Sequence, residues 1–140
     1  MNLGKYNYLI DYEFYRTGYK TVVNLPEIDE PKAAGTPWNH PDNFLISEKG
    51  IKINLGKEYH AKRMEISLDN NDDYEIIYLS GSSEIANQTS QAHIIPQGGL
   101  AVYLIDVPQS AFENGYDSIK VIPLRGDGLY SIGHIRLLEK

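Results

Sequence analysis

Short segments in which apolar and polar residues alternate recur about every ten residues from Gly50 onward, and this spacing is the feature that most constrains the fold. Alternation with a period of two places apolar side chains on one face of an extended segment, as in a half-buried β-strand. Turns rich in Asn, Asp or Gly separate several of the segments, as at 69–73 and 125–128. We predict strands at 51–55, 64–68, 74–79, 92–95, 100–107, 117–124 and 129–138. Helical periodicity is almost absent apart from one short turn at 108–114, so the sequence predicts an all-β sandwich or barrel.

Three other regions refine this prediction. Residues 1–14 also alternate, with tyrosines on the apolar parity, and indicate a further half-buried strand. Residues 25–43 contain four prolines, which lack the amide donor that a central strand needs, and so favour a long ordered loop. The segment 100–107 is almost entirely apolar, which is typical of a central strand covered on both faces. The predicted core residues are Leu100, Val102, Leu104, Ile119, Val121, Ile135 and Leu137.

Length and composition exclude several classes of protein. A chain of 140 residues suits a single domain spanning 1–140, and the lack of a basic, apolar leader is compatible with a piece cut from a longer chain. The absence of cysteine excludes a disulfide scaffold, a thiolate zinc site and a cysteine nucleophile. The net charge of −6 argues against nucleic acid or an anionic membrane as a partner, because both need clustered Lys and Arg. No apolar run approaches the ~20 residues of a membrane span, so membrane insertion is not expected.

The most specific pattern lies in the last third of the chain. It reads Val107-Pro108, a short helical insert, Gly115-Tyr116-Asp117-Ser118-Ile119-Lys120-Val121-Ile122-Pro123, and then residues 126–137. This pattern resembles the closing strands of galactose-binding-like jelly rolls, the fold of discoidin domains and of many carbohydrate-binding modules. The segment 64–79 resembles their central hairpin, and the resemblance covers about residues 50–139. It implies an antiparallel jelly-roll β-sandwich of about eight strands, an accessory role in contact with sugars, and an extracytoplasmic location in the periplasm, the medium or the cell surface. The disulfide that joins the ends of many such domains cannot form here, because the chain has no cysteine.

The sole tryptophan marks the best candidate for a ligand site. Trp38 lies between two prolines in a polar loop, where its ring can stack on the apolar face of a sugar beside hydrogen-bonding side chains. A second predicted loop adds a tyrosine ring and a guanidinium, which can bind a sugar hydroxyl or a carboxylate. We predict that these residues meet on loops at one end of the sandwich; the alternative is that Trp38 plugs the core. The predicted ligand-binding residues are Trp38, Asn39, His40, Asn43, Tyr59 and Arg63.

Metal and cofactor signals are weak. Asp69, Asn71 and Asp73 have the alternate spacing of oxygen ligands that can wrap a calcium ion. The positions at which an EF-hand needs glycine and glutamate hold other residues, so a hairpin turn without metal is the preferred interpretation. The four histidines have no zinc-binding spacing, and no cofactor is expected. The resemblance allows one structural calcium in an N-terminal loop, near Asp29, Glu30, Asp42 and Asn43.

Binding is favoured over catalysis. The sequence contains no Ser-His-Asp order, nucleophile elbow or glycine-rich phosphate loop, and most of its acids fall at turns or on the polar parity of strands. We therefore predict a non-catalytic carbohydrate-binding or accessory module of a cell-envelope or secreted protein. The alternative is a structural or protein-interaction domain, whose tyrosine-rich face packs on a neighbouring domain or subunit. A small enzyme is the least favoured class.

Overall fold

The computed structural model describes residues 22–126 and 128–139, so the strand expected at 1–14 lies outside the described residues. The described residues form nine strands and two short helices. In chain order these are β1 (Val22–Asn24), α1 (Leu25–Ile28), β2 (Phe44–Leu45), β3 (Ile51–Tyr59), β4 (Arg63–Asp69), β5 (Asp73–Ser80), β6 (Ser83–Ser90), β7 (Leu100–Asp106), α2 (Gln109–Asn114), β8 (Tyr116–Arg125) and β9 (Ser131–Leu138).

The strands form two sheets that pack face to face. One sheet has five strands in the order β1-β3-β8-β5-β6, and the other has four in the order β2-β9-β4-β7. All pairs are antiparallel except β1 with β3, which is parallel. Most consecutive strands lie in opposite sheets, so the chain crosses repeatedly between the two layers. The predicted all-β sandwich is confirmed, with a second short helix in addition to the one predicted.

Alternate residues of both sheets fill the space between them. In the five-stranded sheet Ile53 lies opposite Ile119, and Ile76 lies opposite Val121; all four side chains are fully buried. Three tyrosines are also fully buried: Tyr74, Tyr78 and Tyr116. The rings of the last two meet edge to face at 5.2 Å between centroids. Because all three are fully buried, these rings serve the core and are not available to a partner, and the same burial raises the pKa of each phenol.

β7 is not the central strand that its composition predicted. It is the edge strand of the four-stranded sheet as described, and Val102 and Leu104 point outward with 38% and 54% of their surface exposed. Leu100, on the same parity, is buried because the segment 35–36 bonds to it: Gly35 N–H donates to its carbonyl at 2.8 Å and its own N–H donates to Thr36 O at 2.8 Å. Four of the seven predicted core residues are buried: Leu100, Ile119, Val121 and Ile135. The prediction was wrong for Val102 and Leu104, which are exposed, and Leu137 is half-buried.

Two further expectations need correction. Residues 92–95 form no strand, and the sixth strand instead lies at β6, whose polar sequence gave no signal. The expected loop at 25–43 begins with α1, in which Pro26 occupies the first turn, where its missing N–H costs nothing. The rest of that region is irregular, as predicted.

Part of this irregular region crosses the outer face of the four-stranded sheet. Lys32 N–H donates to His134 Nδ1 on β9 at 2.8 Å, and a few residues later the segment bonds to Leu100 on β7. Between them on β4, Ser67 Oγ lies 3.0 Å from His134 Nδ1 and accepts the His134 backbone N–H at 2.9 Å. Ser67 and His134 are buried by this crossing, although both belong to the outward parity of the sheet.

Candidate functional site

The Trp38 loop is held from within by Asn43. Its Nδ2 donates to Pro37 O at 2.9 Å and to Trp38 O at 3.1 Å, and its side chain is buried. His40 also bonds inside the loop, because its Nδ1 accepts the Asp42 N–H at 3.1 Å. Two of the predicted ligand groups are therefore used to shape the loop. Asn39 is exposed, and Trp38 and His40 are half-buried, so part of each of these residues remains accessible to solvent.

Trp38 does not plug the core. Its ring is half-buried and belongs neither to the buried core cluster nor to the apolar residues packed against that cluster. This placement agrees with the expectation that the indole is partly exposed.

The remaining predicted residues lie far from Trp38. Arg63 begins β4, whereas the Trp38 loop adjoins the other end of that strand through the bonds between Thr36 and Leu100. β4 has seven residues, so its two ends are about 20 Å apart at roughly 3.3 Å per residue. Tyr59 ends β3, four residues before Arg63, and lies at the same end of the sandwich as that residue. The six predicted residues therefore do not form one surface.

Tyr59 lines a different concavity, which we term the side cleft. It lies where α1 and the residues after it bridge the two sheets, and its volume is about 440 Å³. Its lining includes Leu25, Asp29, Glu30, Tyr59, Arg136 and Leu137. This volume falls in the range of small-molecule sites, and the walls combine an aromatic ring, two carboxylates and a guanidinium.

The charged groups of the side cleft are only loosely engaged. Arg136 Nη1 lies 3.6 Å from Glu65 Oε1, which is an ion pair beyond hydrogen-bond distance, and Arg136 is half exposed. Asp29 and Glu30 are exposed. Lys57 Nζ lies 5.0 Å from the centre of the Tyr59 ring. The cleft can therefore present both donors and acceptors to a polar ligand beside an aromatic surface.

Sequence reasoning missed Arg136 as a site residue. The sequence places Arg136 only within the last strand. The alternation of that strand indicated that its side chain faces outward, but not that it lines a cleft. The segment that follows α1 forms the other wall of the cleft beside Arg136. Tertiary contacts, such as the bond between Lys32 and His134, set the path of this segment across the sheet.

Of the three weak calcium candidates at 69–73, one is engaged by protein donors. Asp73 is occupied by protein donors: Oδ1 accepts the Ala92 N–H at 2.7 Å and Oδ2 accepts from Arg125 Nε at 3.0 Å. These two bonds lower the pKa of Asp73, in that order of importance. Within residues 22–126 and 128–139, no three histidine or acidic side chains are grouped closely enough to hold a metal ion. The other candidates are also apart, since Asp29 and Glu30 line the side cleft whereas Asp42 and Asn43 belong to the Trp38 loop.

Comparisons with known proteins add no family. No protein-family model matches the sequence, and a search of curated proteins finds no relative. In the part of the chain that the structure describes, no helix has the length and apolar character needed to cross a membrane.

Proposed function

We propose that this chain is a non-catalytic carbohydrate-binding module and that the side cleft is its ligand site. The observation that carries the proposal is the grouping of Tyr59 with Arg136, Asp29 and Glu30 around a cleft of about 440 Å³. The resemblance to galactose-binding-like jelly rolls supports the same class and favours a place within a larger cell-envelope or secreted protein.

The chemistry of a sugar ring matches these walls. The apolar C–H face of the ring can pack against Tyr59, while its hydroxyls donate to the carboxylates of Asp29 and Glu30. Arg136 donates to a ring or hydroxyl oxygen, and its loose pair with Glu65 at 3.6 Å leaves its guanidinium able to reorient. The exposed position of the two acids means that water competes for them, so affinity in the micromolar to millimolar range is expected.

A pair of matched arginine variants tests the site. Arg136 and Arg63 both lie on the four-stranded sheet, both are about half exposed in their side chains, and each has one carboxylate at about the same distance, 3.6 Å and 3.5 Å. Only Arg136 lines the side cleft. After a glycan-array screen has identified a ligand, calorimetric titration should show about tenfold weaker binding for Arg136→Gln and unchanged binding for Arg63→Gln.

Tryptophan fluorescence reports which region is occupied. Because the only indole is in the Trp38 loop, a sugar in the side cleft should bind without changing the emission spectrum. A shifted spectrum, together with loss of binding in Trp38→Ala, would move the site to the Trp38 loop. An array on which no glycan binds would overturn the carbohydrate proposal altogether.

A structural or protein-interaction domain is the second candidate, and one observation favours it. The edge strand β7 exposes Val102 and Leu104 side by side on the outer face of the sheet. An apolar pair on an edge strand suits the addition of a strand from a neighbouring domain. If that is the function, the protein should self-associate or bind its neighbouring domain in analytical ultracentrifugation, and Leu104→Gln should abolish this association without lowering the melting temperature.

A further inference from the structure

A second concavity lies on the outer face of the five-stranded sheet, and we term it the sheet cleft. Its volume is about 430 Å³, and it is bounded by the ends of β3 and β8 and by the turn between β5 and β6. The residues that matter here are Lys52, Asn54, Lys57, Glu58, Asp117 and Ser118.

Lysines without acid partners are concentrated at this cleft. Lys52 on β3 lies directly opposite Lys120 on β8, and Lys57 lines the same cleft. Among the described residues, no ion pair includes any of these three side chains. Like charges directly opposite each other destabilise a sheet, and this pair occurs in a chain whose net charge is −6. An oxyanion bound between the lysines would relieve the repulsion.

The two acids of the cleft are already engaged by protein donors. Glu58 Oε2 accepts from His60 Nε2 at 2.7 Å, and Asp117 Oδ1 accepts the Gly81 N–H at 3.1 Å. His60 Nδ1 also lies 2.8 Å from Phe112 O, and these two acceptors raise the pKa of His60. Neither acid forms an ion pair with a lysine of the cleft, and the second oxygen of Asp117 remains able to accept a hydroxyl from a ligand.

A buried hydroxyl without a partner completes the cleft. Ser118 lies opposite Asn54 on β3 and opposite Leu79 on β5, so it points to the outer face. The residue is 3% exposed, and its Oγ has no hydrogen-bond partner within the described part of the chain. An unsatisfied buried hydroxyl is unfavourable, and a bound acceptor would remove that cost.

We propose that the sheet cleft binds the oxyanion of a small hydroxylated ligand, such as the carboxylate, sulfate or phosphate group of an acidic sugar. The oxyanion accepts from Lys52 and Lys57, with Lys120 contributing charge from across the strand pair. Ser118 Oγ donates to an oxygen of the ligand, and Asn54 and Asp117 pair with its hydroxyls. The residues that line the two clefts do not overlap, but Lys57 of the sheet cleft lies 5.0 Å from the ring of Tyr59 in the side cleft, so variants on both sides are needed to assign the ligand.

Titration with defined probes tests the proposal. Glucuronate, glucose 6-sulfate and glucose 6-phosphate are compared with inorganic phosphate and with neutral glucose, at low ionic strength, by chemical-shift perturbation of the ¹⁵N-labelled chain. At least one of the three acidic sugars should bind and perturb amides of β3 and β8, glucose should not, and added salt should weaken the binding because it screens the lysines. The acidic sugar that binds most tightly identifies the oxyanion.

Matched variants distinguish specific binding in the sheet cleft from general electrostatic attraction to the protein. Lys52→Gln and Ser118→Ala should each weaken binding about tenfold, since each removes a donor to the ligand. Lys62→Gln removes the same charge from a lysine that lies over the Phe112 ring and does not line the cleft, and it should leave binding unchanged. Without ligand, Lys52→Gln should keep or raise the melting temperature, because it removes like-charge repulsion, and this shows that the variant is folded.

The proposal would be overturned if no acidic probe binds at millimolar concentration, or if glucose binds as well as its acidic derivatives. It would also be overturned if Lys62→Gln weakens binding as much as Lys52→Gln, or if Ser118→Ala binds as tightly as the parent chain.

Arg136→Gln tests whether the acidic sugar binds in the side cleft instead. If it removes acidic-sugar binding while Lys52→Gln does not, the ligand belongs to the side cleft and the sheet cleft carries no site.

Discussion

Replacing His134 with asparagine should remove a pH-dependent part of the stability of this fold. In the native protein Nδ1 of His134 accepts the Lys32 N–H at 2.8 Å, so this nitrogen is unprotonated. A proton there would face the Lys32 N–H and displace the segment that crosses the sheet. The side-chain amide of the introduced asparagine would offer an oxygen to the same N–H without titrating. We therefore expect His134→Asn to fold and to keep this crossing in place.

The environment of His134 sets the direction of the effect. Burial lowers its pKa most, and the positive charges of Lys32 on the crossing segment and Arg136 on the same strand lower it further. Glu65 on β4, with Oε1 at 3.6 Å from Nε2, acts in the opposite direction but does not reverse the shift. The folded chain therefore binds this proton only at a lower pH than the unfolded chain does.

The magnitude follows from proton linkage. Below about pH 6.5, the ordinary value for histidine, the unfolded chain gains a proton that the folded chain refuses. The free energy of unfolding should then fall by up to about 1.4 kcal/mol per pH unit until the folded pKa is reached, and it should be independent of this group above about pH 6.5. His60, whose pKa is raised, contributes in the opposite sense: its stabilisation is present at low pH and is lost as pH rises through its folded pKa.

Urea unfolding measures this difference. The free energy of unfolding is compared for His60→Gln and for the double variant His60→Gln/His134→Asn, from about pH 8 to about pH 5. Carboxylate titration is common to both chains and cancels. The curve that retains His134 should fall more steeply at acid pH. Parallel curves over the whole range, or a steeper fall in the double variant, would refute the role assigned to His134.

Three further predictions concern the packing of the described residues, and each is measured by urea unfolding at neutral pH. Leu104→Ala should cost less than about 0.5 kcal/mol because the side chain is 54% exposed, whereas Ile66→Ala, fully buried on the neighbouring strand, should cost about 2–5 kcal/mol. Equal losses at the two positions would contradict the edge assignment of β7. Asn43→Ala should cost about 1–3 kcal/mol, since Pro37 O and Trp38 O lose their donor, and it should also shift the emission of the indole. Gly99→Ala should lower the free energy of unfolding by about 1–3 kcal/mol, because φ of Gly99 is +70° and the new methyl group would clash with Thr36 O. An unchanged free energy of unfolding would mean that the segment at 35–36 is not held against β7.

Period-two alternation was sufficient to predict β3, β4, β5, β8 and β9. In each of these strands one face packs against the opposite sheet, so apolar residues recur at alternate positions, although in β4 and β9 the segment that crosses the sheet buries outward-facing residues as well. The sandwich itself could therefore be predicted from sequence.

Edge strands did not follow the same rule. Among the described strands, β6 pairs only with β5 and lies at the margin of its sheet, and its polar sequence resembles a loop. β7 is apolar on both parities, which is typical of a central strand, yet Val102 and Leu104 face outward. Sequence pattern reports how apolar a strand is, whereas its place in the sheet depends on which strands pair with it.

The candidate site was the least predictable part. Trp38 and Tyr59 were selected for their side-chain chemistry, but the distance between their regions depends on the length and direction of β4. The clefts arise from tertiary features: the side cleft from the segment after α1, and the sheet cleft from the register that sets Lys52 against Lys120.

The order of strands in the two sheets has a consequence for how this chain acquires its structure. β8 lies between β3 and β5, and β9 lies between β2 and β4, yet both are the last strands along the described chain. During synthesis, β3 pairs with β8 and β4 pairs with β9 only after residues more than fifty positions later have been made. Lys32 and His134, which bond directly, are 102 residues apart in sequence. Such distant pairings slow folding to the millisecond-to-second range, and a nascent chain that ends before β8 exposes unpaired strands to other chains, so most of the folding should follow the synthesis of β8 and β9.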